Sequence, residues 1–297
     1  MPSMIWADFQ SALPALVAMV LALLLVARFA GQPWWTERRR ARQRAQPFPT
    51  AWRRILRRRV PLVAQLPPHL QLRLKSHIQV FLAEKLFIGC QGQAITDEVR
   101  VTTAAQACLL LLGHERPDCY PRLRQVLVYP DTFVVQREHS AGAGLVREQR
   151  QVLAGESWSQ GQIVLSWPEV LAGAADAHDG HNVALHEFAH QIDQDKGVAD
   201  GRPWRPTAAK RRRWAAVMDA AFQRLRAEPS ALIDAYGASE PAEFFAVVTE
   251  VFFERPHELA LAAPAVYAEL ADLYRVDPMQ WWPAPAADPL PGTPQAA

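Results

Sequence analysis

Two histidines four residues apart, within Asn182-Val183-Ala184-Leu185-His186-Glu187-Phe188-Ala189-His190-Gln191-Ile192-Asp193-Gln194, constrain this chain more than any other feature. The apolar residues Val183, Leu185, Phe188, Ala189 and Ile192 recur with helical spacing and predict a half-buried helix. On such a helix His186 and His190 lie one turn apart on one face, so both imidazoles reach a single ion. Glu187 lies about 100° further round, where it meets a water on that ion without ligating the ion itself. The pattern also arises by chance in unrelated proteins, as two histidines and a glutamate on a surface helix. The apolar flanks argue against that, because buried imidazoles without an ion need other partners for their nitrogens. These residue types point to Zn2+. The metal would bring the pKa of a bound water to about 7, and Glu187 would take its proton as it attacks a carbonyl.

A hydrolytic zinc needs a third protein ligand and an open fourth position. One known pattern places a third histidine at position 196, but Lys196 stands there and excludes it. A glutamate from a second helix is expected instead. The best segment is Asp234-Ala235-Tyr236-Gly237-Ala238-Ser239-Glu240-Pro241-Ala242-Glu243-Phe244-Phe245-Ala246, with Ser239 as N-cap and Pro241 at the first helical position. Glu243 falls in the first turn, Phe244, Phe245, Val247 and Val248 supply a core face, and Ala242 and Ala246 permit close approach of another helix. Glu240 and Glu250 remain rival ligands on spacing alone. Asp193, seven residues after His186, either orients a histidine or is a solvated carboxylate at a helix end.

Elsewhere, Pro67–Leu86 and Ala104–Leu112 show helical or apolar spacing, and a basic amphipathic helix is expected from about Thr207 to Ala227. Residues 126–135 read as a hairpin or two short strands, and 161–167 as a further strand, suited to pair with a substrate backbone at a sheet edge. Residues 138–159 read as loops with a short strand. Cys90, Cys108 and Cys119 are odd in number and widely spaced, which suits free thiols in a reducing compartment. His178 and His181 read as surface residues.

Phe9–Ala27 is 19 residues without a charge. As a helix it would span about 28 Å, close to a bilayer core. Eleven of the 32 Lys and Arg lie between Arg28 and Arg59, leaving 21 basic against 28 acidic residues for the remainder. A secretory signal would carry its positive charge before the apolar run. The expectation is therefore one N-terminal transmembrane helix over 1–30 with the rest on the cytoplasmic side of the inner membrane. A basic juxtamembrane linker over 31–60, a catalytic domain over 61–282 and a disordered tail over 283–297 complete the expected organisation. The alternative for the apolar run is a buried core helix. A mildly acidic body argues against nucleic acid as a partner, and Lys210-Arg211-Arg212-Arg213 reads as a solvated helix face.

Three blocks, GESWSQGQIVLSW (155–167), NVALHEFAHQID (182–193) and IDAYGASEPAEFFAVVTEVFF (233–253), closely resemble the Mlc titration factor A family of zinc peptidases. The resemblance covers roughly residues 50–282. It implies an α+β, zincin-like metallopeptidase domain, mostly helical with a small mixed sheet, related in its catalytic half to anthrax lethal factor. It further implies that His186, His190 and Glu243 ligate zinc, that Glu187 is the catalytic base and acid, and that Tyr236 stabilises the oxyanion. Aminopeptidase-like activity on peptides, and regulation by a transcriptional repressor of sugar uptake, are also implied. The competing class is a regulator-sequestering protein with a structural or vestigial zinc site.

Overall fold

The computed structural model describes residues 17–19, 32–131, 133–140, 146–153, 155–158 and 161–283, with the strands between 133 and 158 described by their backbone alone. The chain divides into two compact units, 1–47 and 48–297. In the first, residues 32–44 are helical, Glu37 and Arg44 form an ion pair at 2.7 Å, and Trp34 and Trp35 meet edge to face.

The second unit opens with α1 (Thr50–Arg59), α2 (Leu62–Gln65) and α3 (Pro68–Glu84), followed by β1 (Leu86–Gly89) and α4 (Asp97–Leu109). Helix α1 docks on α4: Trp52 Nε1 donates to Asp97 Oδ2 at 2.9 Å, and Arg58 and Arg59 share Glu98. These arginines therefore close a helix pair inside the unit. Then come β2 (Gln125–Tyr129), β3 (Phe133–Ser140), β4 (Val146–Leu153), β5 (Gly155–Trp158) and β6 (Gln162–Ser166). The remaining helices are α5 (Trp167–Ala175), α6 (Val183–Asp193), α7 (Ala208–Ala227), α8 (Pro241–Glu254), α9 (Pro256–Ala262) and α10 (Pro264–Tyr274).

One sheet has the order β1-β2-β6-β5. β1, β2 and β6 run parallel, with Leu86 opposite Gln125 and Val126 opposite Ile163. β5 runs antiparallel to β6, with Gly155 opposite Leu165 and Trp158 opposite Gln162. One face of the interior strands is fully buried, with Val126, Val128, Ile163 and Leu165 in register on it, while on the other face Val164 is buried and Leu127 half-buried. Of the two readings of residues 126–135, two short strands hold and the hairpin does not, because β2 joins the parallel sheet and β3 pairs with β4 in a separate two-stranded ribbon. Nor is β6 an edge strand; the edges are β1 and β5, and β5 packs beside α6.

The inner face of α6 is anchored by Phe188, whose ring meets Phe81 at 5.7 Å and Tyr120 at 5.0 Å. Helix α8 is buried along nearly its whole length, and its Phe245 meets Trp214 of α7 at 5.7 Å. Lys210 and Arg213 of α7 are paired with Asp272 and Glu269 of α10, so much of that basic run is neutralised within the fold. Cys90, Cys108 and Cys119 are free thiols, the last two buried.

The expected transmembrane helix is corrected. Among the described residues no helix is long and apolar enough to cross a membrane. α3 has 17 residues, about 26 Å, and is interrupted by charge, while the 20-residue α7 carries Lys210 and a series of arginines. Apart from 17–19, the apolar run itself lies outside the described residues, as do positions 284–297 of the expected tail. The fold class is thus mostly helical with a small, chiefly parallel sheet. The expected placement at the inner membrane rested on the same helix and is withdrawn with it.

Phe188→Ala removes the ring that seats α6 on α3. It is expected to cost about 3–5 kcal/mol of folding free energy, read as a lowered midpoint in equilibrium urea denaturation.

Candidate metal centre

Helix α6 starts where Asn182 caps it, the side-chain Oδ1 accepting from Leu185 N at 3.0 Å. Its outer face presents His186 and His190 as the spacing requires. Helix α8 starts at Pro241 with Glu240, not Ser239, as the N-cap residue. Ser239 Oγ instead donates to Tyr236 O at 2.7 Å and closes the 3-10 turn Ala235–Ala238. Glu243 then projects towards the two histidines, and the exposed Glu240 stays outside the group.

Three atoms converge. His186 Nε2 lies 3.0 Å from Glu243 Oε2 and 3.2 Å from His190 Nε2, and His190 Nε2 lies 3.3 Å from Glu243 Oε2. Tetrahedral ligands with bonds of ~2.0–2.1 Å stand about 3.3 Å apart, so this triangle fits one zinc-sized ion. Among the described residues it is the only such group of three or more metal-ligating side chains. Two imidazoles and a carboxylate are a donor set that suits a divalent first-row metal. His186, Glu243 and His190 retain a small exposed fraction, which leaves one side of the triangle open.

The electrostatics call for a cation. Burial alone would push the His186 pKa down. Glu243 on Nε2 and Glu250 on Nδ1 outweigh it and hold the imidazolium well above its ordinary range. Burial would likewise raise the Glu243 carboxyl, but its bonds to His186 and His190 hold it far below the usual carboxylate value. A dication among these donors takes over the role of that shared proton. Glu187 is buried next to His186, near enough for its charge to contribute to the same shift.

Glu250 is the residue whose role spacing did not identify. Its Oε1 sits 2.7 Å from His186 Nδ1, so it orients the ring from behind. The signal was present: seven residues after Glu243, two helical turns, puts both carboxylates on the face of α8 that meets α6. Asp193 does not hold a histidine. It is buried, and its Oδ2 accepts from Gly201 N at 2.6 Å. Gly201 has φ +73°, and a Cβ there would lie 2.3 Å from Pro241 O, so only glycine lets this loop press against the start of α8. Trp214 Nε1 donates to Gly201 O at 2.9 Å and fixes the loop from the other side. His178 and His181 are exposed and take no part. The half-exposed Tyr236 stands with its ring centroid 6.1 Å from that of His186.

Residues 34–275 match the family described as glucose-regulated metallo-peptidase M90. The uncharacterized protein slr2042 of Synechocystis is 39% identical over 272 residues, covering 90% of this chain and 98% of that protein. Proteins named Mlc titration factor A from Salmonella agona and Klebsiella pneumoniae are each 36% identical over 232 residues, covering 74% of this chain and 84% of theirs.

Because a metal must displace the proton that Glu243 and Glu250 hold on His186, zinc affinity should rise with pH. The expected slope is about tenfold per pH unit below the raised His186 pKa, persisting above pH 6.5 and flattening beyond that pKa. Competition titrations with a chelator between pH 6 and 9 read this directly.

Proposed function

The chain belongs to the glucose-regulated metallo-peptidase M90 family, and from that premise we propose that it is a zinc-dependent peptidase of the HExxH-plus-glutamate type. The observation that carries this reading is the triangle of His186, His190 and Glu243 donor atoms beside a buried Glu187. When bound there, zinc supplies Lewis acidity to water and to the scissile carbonyl.

The chain's own residues supply the rest of the chemistry. Glu187 takes a proton from the attacking water and returns it to the leaving amine. The Tyr236 hydroxyl donates to the oxyanion as charge develops on the carbonyl oxygen. Its backbone is held for this by Asp234 Oδ1, which accepts from Tyr236 N at 2.7 Å, and by the Ser239 hydroxyl. Strand β5, an edge of the described sheet that lies beside α6, pairs with the substrate backbone, a readout that needs no particular side chains. With four residues, Gly155–Trp158, it spans only about 13 Å. Aminopeptidase-like action on short peptides is what the family resemblance implies, and it is part of this proposal.

A second reading is favoured by the name of the relatives. A titration factor sequesters a regulator, and this chain would then bind a transcriptional repressor, its zinc site structural or vestigial. Glu187 separates the two classes, since a structural site has no use for a carboxylate beside an open coordination position.

Glu187→Gln is expected to retain stoichiometric zinc while peptide turnover falls by about 10²-fold or more; unchanged turnover would remove Glu187 from the mechanism, whereas a zinc-loaded wild type that turns over no peptide would leave the sequestering reading. Tyr236→Phe should lower kcat by about 10²-fold with KM little altered. Assays on aminoacyl anilides and internally quenched peptides, with chelator and after zinc is restored, decide the aminopeptidase assignment.

A further inference from the structure

Behind the metal ligands lies a second, fully protein-made assembly at the start of α6. Asn182 uses every polar group it has. Its backbone N donates to Glu250 Oε2 at 2.5 Å, its Oδ1 caps Leu185 N, and its Nδ2 donates both to Gly173 O and to Glu254 Oε1, each at 2.9 Å. Glu254 Oε2 in turn accepts from Gly180 N at 3.2 Å. Asn182, Glu250 and Glu254 are all buried. Gly173 of α5 seals the assembly, since a Cβ there would lie 2.9 Å from Asn182 Cα.

We propose that Glu254 is a positioning residue for the metal centre, acting through Asn182 and Glu250 on the ring of His186. The steps are contiguous. Glu254 fixes the Asn182 amide, which fixes the direction of the Asn182 backbone N–H. That N–H occupies one oxygen of Glu250 and leaves the other, Oε1, aimed at His186 Nδ1. A ligand ring held by a hydrogen-bonded carboxylate is presented to the metal in one tautomer and one orientation. The spacing on α8 supports the assignment: Glu243, Glu250 and Glu254 are separated by seven and four residues, so ligand, orienter and anchor share one helix face. Burial and the nearby Asp179 and Glu250 charges push the Glu254 carboxyl up to about 9, outweighing its bonds to Asn182 and Gly180.

This proposal rests on the reading that His186, His190 and Glu243 hold zinc, and the experiment separates the two. The dissociation constant for Zn2+ alone is measured on the full chain by competition with a chromogenic chelator, alongside the thermal midpoint of the zinc-free protein. Wild type is compared with Glu254→Ala, Glu254→Gln and Asn182→Ser. Serine still caps α6 and keeps the backbone N–H, but has no amide to link Glu254.

Glu254→Ala and Asn182→Ser are expected to weaken zinc binding by about 10-fold or more. Glu254→Gln, which keeps an acceptor for the Asn182 amide, should recover most of that affinity. Should Glu254→Ala not fold, Asn182→Ser carries the comparison. Affinity within twofold of wild type in the folded variants overturns the proposal while leaving the metal reading intact. A wild-type chain that binds no zinc overturns the metal reading, and the proposal with it.

Discussion

The antiparallel packing of α6 against α8 is the constraint on which the rest of the site depends. The start of α6 is tied to the end of α8 through Asn182, Glu250 and Glu254. The end of α6 is tied to the start of α8 through Asp193 and Gly201, which lies against Pro241. Clamped at both ends, the helices hold His186, His190 and Glu243 within bonding range of one ion. The clamp also suits the helix dipoles, because Glu250 and Glu254 meet the amino-terminal end of α6, where negative charge and acceptors are favoured.

Burial decides how these charges behave. A carboxylate in such a place is costly without a partner. Glu243 and Glu250 resolve this by sharing His186 between them, while burial and the neighbouring charges push the Glu254 carboxyl up to about 9. The arrangement is prepared for a cation before any metal arrives. A metal with two positive charges neutralises more of that charge than a proton does.

Much of this was legible in the amino-acid order. The four-residue histidine spacing, the apolar positions of α6 and Pro241 at the start of α8 place the two helices, and the family resemblance singles out Glu243 and Tyr236. The helices at 68–84, 183–193, 208–227 and 241–254 lie where periodicity put them. The strands were harder, for a physical reason. Local alternation identifies a strand but not its neighbour, so the sequence leaves open whether β2 and β3, only three residues apart, pair with each other, and they belong to different sheets. The edge role of β5 likewise depends on pairing that no local pattern encodes. Glu250 and Glu254 were hidden because a carboxylate that orients a ligand has the same sequence signature as one that binds metal. The N-terminal apolar run satisfies both length and apolarity as a sequence but lies, apart from 17–19, outside the described residues, and among those no helix is both long and apolar enough to span a membrane.

The central claim is that one metal ion is held by His186, His190 and Glu243. X-ray absorption at the zinc edge on the zinc-loaded protein tests it most directly. The account predicts one zinc per chain, with two imidazole nitrogens and a carboxylate oxygen at about 2.0–2.1 Å and no sulfur, and loss of that signature when any one of the three is replaced by alanine. A sulfur shell at about 2.3 Å, or a spectrum unchanged in those three variants, would contradict it.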